Sequence, residues 1–190
     1  MHLYNVPNNN KTPCLFPTEQ ERREFDLNLL SYKIQIKKPL KIYALNGFLY
    51  PLPLENVEHV WRWNWNDKRA EEFAKTIKED CILIGFSDGA TASLTVAQNS
   101  PFVKKVYCHS CMYSSYPLKR KFDVNFFTTI GDSTPTFEGT EKTFHKYLIN
   151  GYNCNIVDLK PEPIKSLNPV HLMMNRKNHH FTNCIKYLPK

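Results

Sequence analysis

From Leu40 onward, short apolar runs alternate with amphipathic stretches of helical length, and that alternation leaves the chain very few architectures. LKIYALNG, CILIGF, VKKVYCHSCMY, DVNFFTTIGD and CNIVDLK each read as a buried strand; VEHVWRWNW adds one with Trp61, Trp63 and Trp65 at period two. Between them, DKRAEEFAKTIKED sets Ala70, Phe73, Ala74 and Ile77 at helical spacing. DGATASLTVAQNS and FEGTEKTFHKYLINGY are the next helices, the latter closed by Asn150-Gly151, and HFTNCIKYL is a terminal one. Strands joined through helices pair in parallel and need cover on both faces. The prediction is therefore an α/β fold: a mostly parallel sheet of about six strands with helices on both faces. Ligands of such sheets bind beyond the carboxyl ends of the strands, so functional residues are sought just after each strand.

Length and composition set the remaining bounds. At 190 residues and 42% apolar content, the chain is expected to form a single domain. Residues 1–39 read as an irregular, proline-containing arm followed by a short helix, because Thr18 and Glu21 have capping-box spacing; residues 40–190 read as the core. No run reaches the roughly 20 apolar residues that cross a bilayer, and MHLYNVPNNNKTPCLF has no signal-peptide pattern. The expectation is a cytoplasmic protein whose six cysteines are reduced. Cys108 and Cys111 form a CxxC, but no second pair or histidine ligands accompany it and it sits in a strand-like run, so neither zinc nor redox chemistry is expected. Twenty-five basic against 18 acidic residues give a net charge of +7, with small groups at Lys37, Lys38 and Lys41 and at Lys119, Arg120 and Lys121. The charges are spread rather than gathered with aromatics on one face, which reads as a solvated surface and not a nucleic-acid interface.

One junction carries chemistry. CILIGF runs into Ser87, and Gly85-Phe86-Ser87-Asp88-Gly89 is a G-x-S-x-G between a strand and a helix. A sharp strand-to-helix bend strains its central residue and crowds the positions two away on either side, where glycine removes the clash. The bend raises the Ser87 hydroxyl above the sheet edge and turns the Asp88 N–H, at a helix start, toward a reacting carbonyl. In this motif and setting the sequence resembles the α/β-hydrolase family, over roughly residues 40 to 190.

The resemblance implies a compact α/β-hydrolase with a Ser-Asp-His order of catalytic residues. Ser87 would be the nucleophile. Asp132, after the strand FFTTIGD, would be the acid, with Asp158 as its rival. His180 would be the base, with His179 of the same KNHHF loop as the alternative. The loop after LKIYALNG would supply the second oxyanion donor, the Phe48 N–H beside that of Asp88. Asn46, Gly47, Phe86, Met112 and Tyr113 would line the substrate site. Only about 14 residues separate His109 from Val124, so the lid would be minimal, with Tyr116 and Lys119 to Lys121 joining the rim. The implied activity is hydrolysis of a small-molecule or lipid-like acyl ester or thioester through an acyl-enzyme, without metal or cofactor. The other reading is a non-catalytic α/β-hydrolase-like domain used for binding.

Overall fold

The six strands β1 (Lys41–Leu45), β2 (Glu58–Val60), β3 (Cys81–Phe86), β4 (Val103–His109), β5 (Asp123–Thr129) and β6 (Cys154–Leu159) form one sheet in the order β2-β1-β3-β4-β5-β6. Every neighbouring pair is parallel. The computed structural model describes residues 40–47, 52, 54–60, 65–160, 179 and 182–188, all of them within one unit, Leu40–Lys190. The expected N-terminal arm and its helix, and the strand positions Trp61 and Trp63, lie outside the described residues.

Side-chain alternation along the strands builds two apolar layers. Leu83, Val106, Cys108, Val124 and Phe126 point to one face, where they meet the helices α1 (Asp67–Ala74), α2 (Asp88–Asn99) and α3 (Thr134–Ile149). Ile84, Phe86, Tyr107, Phe127 and Leu159 point to the other. Among the described residues, the three α-helices lie on the first face, and the second is covered by Leu52 and by Cys184 and Leu188, in and just after the terminal helix. That terminal helix is a 3-10 helix, Thr182–Tyr187, rather than an α-helix. Each large apolar side chain taken fully from water contributes about 1.5 to 3 kcal/mol, so the two layers supply most of what orders the sheet.

Element boundaries follow local chemistry. Asn66 caps α1 by accepting from the Arg69 N–H at 2.9 Å. The helix stops at Ala74, short of the periodic run that suggested it, although Ile77 is still buried against it. At the end of α3, Gly151 adopts φ +69° and its N–H reaches the Leu148 carbonyl at 2.9 Å, the left-handed stop expected of Asn-Gly. Trp65 is half-buried, with its indole N–H donated to the Asn46 carbonyl at 2.9 Å.

The connection from β4 to β5 carries no helix. Parallel strands require the chain to return to the opposite sheet edge, and residues 110–122 do so as an extended strap. Its backbone groups are satisfied by side chains of α2 and α3, as burial demands. The Thr91 and Thr143 hydroxyls accept from the Met112 and Ser114 N–H groups, each at 3.1 Å. Gln98 Oε1 accepts from the N–H groups of Lys119 and Arg120 at 2.6 and 3.0 Å. Thr140 donates to the Cys111 carbonyl, and Lys146 Nζ donates to those of Ser114 and Tyr116. Cys108 thus ends within β4 and Cys111 opens the strap, with a turn at Ser110 between them, so the CxxC does not continue as strand.

Candidate active site

β3 ends at Phe86 and α2 begins at Asp88, so Ser87 alone turns the chain. Its backbone sits at φ 56°, ψ −122°, a region that costs a residue with a side chain about 1 to 3 kcal/mol. The surroundings hold it there. Its N–H donates to the His109 carbonyl at 3.0 Å, and its carbonyl accepts from Ala90 and Thr91 at 3.0 and 3.2 Å to start the helix. Although Ser87 occupies the N-cap, its hydroxyl makes no capping bond, so the helix does not consume the group.

Glycine is required where the bend is crowded. A Cβ on Gly85 would lie 2.5 Å from the Gly89 carbonyl oxygen, and one on Gly89 would press into the Leu45 carbonyl, 2.7 Å from its carbon. Gly47 serves the same bend from the neighbouring strand: a Cβ there would lie 2.8 Å from the Phe86 oxygen and 3.2 Å from Ser87 Cβ. Gly47 is therefore placed to let β1 approach the elbow.

A second bend follows β5. Gly131 adopts φ 80°, the Asp132 N–H donates to the Thr129 carbonyl at 2.9 Å, and the Ser133 N–H donates to Asp132 Oδ1 at 2.6 Å. His179 Nδ1 lies 3.0 and 2.9 Å from Oδ1 and Oδ2 of Asp132, with both side chains buried from solvent. Burial by itself would raise the Asp132 pKa. The hydrogen bond and charge of His179, the nearby Ser110 hydroxyl and the Ser133 N–H outweigh it and hold the carboxyl below its ordinary value. The Ser110 hydroxyl approaches without forming a well-aligned hydrogen bond of its own. An ionised carboxylate can only accept, so Nδ1 carries the imidazole proton and Nε2 is left as the basic nitrogen.

The imidazole of His179 rests on the ring of Phe86, the residue before Ser87, at a centroid distance of 4.6 Å. Phe86 is wholly buried, with His109 against it at 5.3 Å. It is placed as a support beneath the histidine rather than on a surface a substrate could touch. Asn46 is also almost completely buried: its Oδ1 accepts from the Leu52 N–H at 2.8 Å, tying residue 46 to residue 52. The sequence offered no signal for this clamp.

The remaining candidates are distributed unevenly. Of the two histidines weighed for the base, His179 is paired with the carboxylate; His180 lies outside the described residues, as does Phe48. Asp158, the rival acid, is exposed on β6. His109 packs in the core with Nε2 3.2 Å from the Thr129 hydroxyl. Met112 and Tyr113 are exposed where the strap leaves β4. Tyr116 and Lys119 to Lys121 do not rim the site. Lys119 Nζ bonds Asn99 and Tyr116, and Arg120 donates to the Ala97 and Val103 carbonyls, at the far end of α2. The 12 residues of α2 put that end about 18 Å from Ser87. The parallel crossover explains the correction, since the strap must finish at the edge opposite the one where it began.

Among the described residues, no group of three or more histidine, cysteine, aspartate or glutamate side chains is arranged to hold a metal, and no helix is long and apolar enough to cross a membrane. The all-parallel sheet, the strained serine after its third strand and the carboxylate after its fifth are features of the α/β-hydrolase fold expected from the sequence.

No protein family and no curated protein matches the sequence. Solved structures of similar shape include esterase PE8, at 18% identity and a TM-score of 0.43 over 57% of this chain and 54% of that one. The chain therefore spans about half the length of that esterase. A YdeN-like hydrolase from Pectobacterium atrosepticum is 17% identical, with a TM-score of 0.47 over 72% of this chain and 83% of its own. A carboxylesterase from Mesorhizobium loti is 12% identical, with a TM-score of 0.46 over 71% and 86%. These are likenesses of shape; the chemistry of the site rests on its own geometry.

Proposed function

We propose that this chain is a serine hydrolase that cleaves acyl esters or thioesters, with Ser87 as nucleophile, His179 as general base and Asp132 as the acid that orients it. The observation that carries the reading is the buried His179–Asp132 pair, at 2.9 and 3.0 Å, seated on the residue next to a serine held at φ 56°. A hydroxyl is a poor nucleophile near neutral pH and needs such a base.

Ser87 Oγ attacks the acyl carbon as its proton passes to His179 Nε2, and the carbonyl oxygen becomes an oxyanion. The Asp88 N–H, at the start of α2, meets that charge together with the Phe48 N–H; such a donor is worth about 3 to 4 kcal/mol in the transition state. As the carbonyl re-forms, the ester C–O bond breaks and the alcohol leaves with the proton from His179. Water then repeats the sequence on the acyl-enzyme and releases the acid. Asp132 stays ionised throughout and stabilises the imidazolium.

The test is labelling with a fluorophosphonate, followed by mass-spectrometric location of the adduct. The expected result is a single adduct on Ser87, absent from Ser87→Ala and strongly slowed in His179→Ala. A folded protein that takes no label on Ser87 would instead be an α/β-hydrolase-like binding domain.

A further inference from the structure

The end of β4 stands between the two halves of the candidate site. The Ser87 N–H donates to the His109 carbonyl at 3.0 Å, and the Ser110 N–H donates to the Phe127 carbonyl of β5 at 2.9 Å. His109 and Ser110 thereby tie the strand of the serine to the strand that leads into Asp132. Ser110 is wholly buried and turns the chain at φ 53°. Glycine reaches that backbone at less cost, so the turn by itself asks for no hydroxyl.

The carboxylate beside it is short of donors. Asp132 Oδ1 accepts from the Ser133 N–H at 2.6 Å, and the single Nδ1 proton of His179 is shared between Oδ1 and Oδ2 at 3.0 and 2.9 Å. An ionised carboxylate offers about four acceptor sites, and the Asp132 side chain is fully shielded from solvent. Among the described residues, the Ser110 hydroxyl is a further donor group that approaches it. That hydroxyl makes no aligned bond of its own, which is costly for a buried polar group. Rotation about its Cα–Cβ bond moves only the oxygen and its proton. Turning toward the carboxylate satisfies both partners with a charge-assisted hydrogen bond.

We infer that Ser110 is a positioning residue for the catalytic pair: its hydroxyl donates to the Asp132 carboxylate and so holds both carboxylate oxygens toward His179. Its part in turnover rests on the hydrolase reading above; its bond to Asp132 does not. When the Ser87 proton passes to His179, a carboxylate held in place keeps the imidazolium aimed at the reacting atoms.

The test compares Ser110→Ala, which removes the hydroxyl and keeps a side chain, with Ser110→Gly, which removes it and relaxes the turn. The Asp132 carboxyl is titrated by carbon-13 NMR in the full chain, and kcat and KM are measured on a p-nitrophenyl ester. In both variants the carboxyl is expected to titrate at higher pH than in the wild type, with kcat several-fold lower and KM unchanged. A residue needed only for the turn gives another pattern: Asp132 titrates as in the wild type, and Ser110→Gly is at least as active. That pattern overturns the inference while leaving Ser87 labelling intact. A carboxyl that moves upward in both variants of a chain that hydrolyses no ester keeps the Ser110–Asp132 bond and removes the hydrolase reading. If either substitution unfolds the chain, the wild type decides. Its Ser110 hydroxyl proton is expected to exchange slowly with water and to shift as Asp132 titrates; a proton that exchanges fast, or ignores that titration, overturns the inference.

Discussion

Ser87 and Ser110 both hold left-handed backbones, φ 56° and 53°, at the ends of neighbouring strands where glycine would relieve strain. The Ser110 hydroxyl lies near Asp132. Ser110→Gly should relax the backbone yet remove a group that lowers the Asp132 pKa, so kcat is expected to fall by several-fold while thermal stability holds; esterase kinetics and calorimetry on one preparation check this. Asp132→Asn should reduce kcat by about 10⁴ by reversing the imidazole tautomer. Its effect on stability has a defined sign. Because the folded carboxyl titrates below its ordinary value, its stabilisation is complete above about pH 4 and is lost as acidification passes through the lower folded value. Denaturant unfolding from pH 6 down to the acid limit should therefore show a steeper loss for the wild type than for Asp132→Asn. Here the sequence was informative about types and order. A serine between glycines and an aspartate after a strand were legible in GFSDG and FFTTIGD. That His179 turns toward the carboxylate was not, because a loop has no periodicity to say which way an imidazole points.

At the scale of elements, the strap of residues 110–122 replaces a helix, and Gln98 is its main anchor. Its side chain is almost fully buried and serves the Lys119 and Arg120 N–H groups and the Tyr152 hydroxyl, the last at 2.8 Å. Removing it leaves several buried partners unpaired, at about 1 to 3 kcal/mol for each. Gln98→Ala is expected to lose at least about 2 kcal/mol of unfolding free energy with little change in KM, as measured by urea titration and ester kinetics. Gly89→Ala should be worse, since its methyl would enter the Leu45 backbone; loss of soluble folded protein by circular dichroism is the expected outcome. The short gap between strands announced a missing helix. The glutamine that compensates for it gave no signal, because its partners lie 21 or more positions away.

Across the whole molecule, the basic residues Lys119 and Arg120 belong to the sheet edge away from Ser87, so Lys119→Ala should leave kcat/KM on a neutral ester within experimental error. Burial raises the Cys81 thiol to about 12, and native protein at pH 8 should resist alkylation there until denaturant is added, as peptide mapping by mass spectrometry would show. Strand number, parallel pairing and the position of the elbow were determined by the sequence itself, because they follow from local periodicity and from where glycine alone fits. The pairing of His179 with Asp132, the distance of Lys119 and Arg120 from Ser87 and the polar groups that hold the strap were decided only by tertiary structure. Those contacts join segments far apart in the chain, and their strength depends on the burial and exclusion of water that the packed sheet creates.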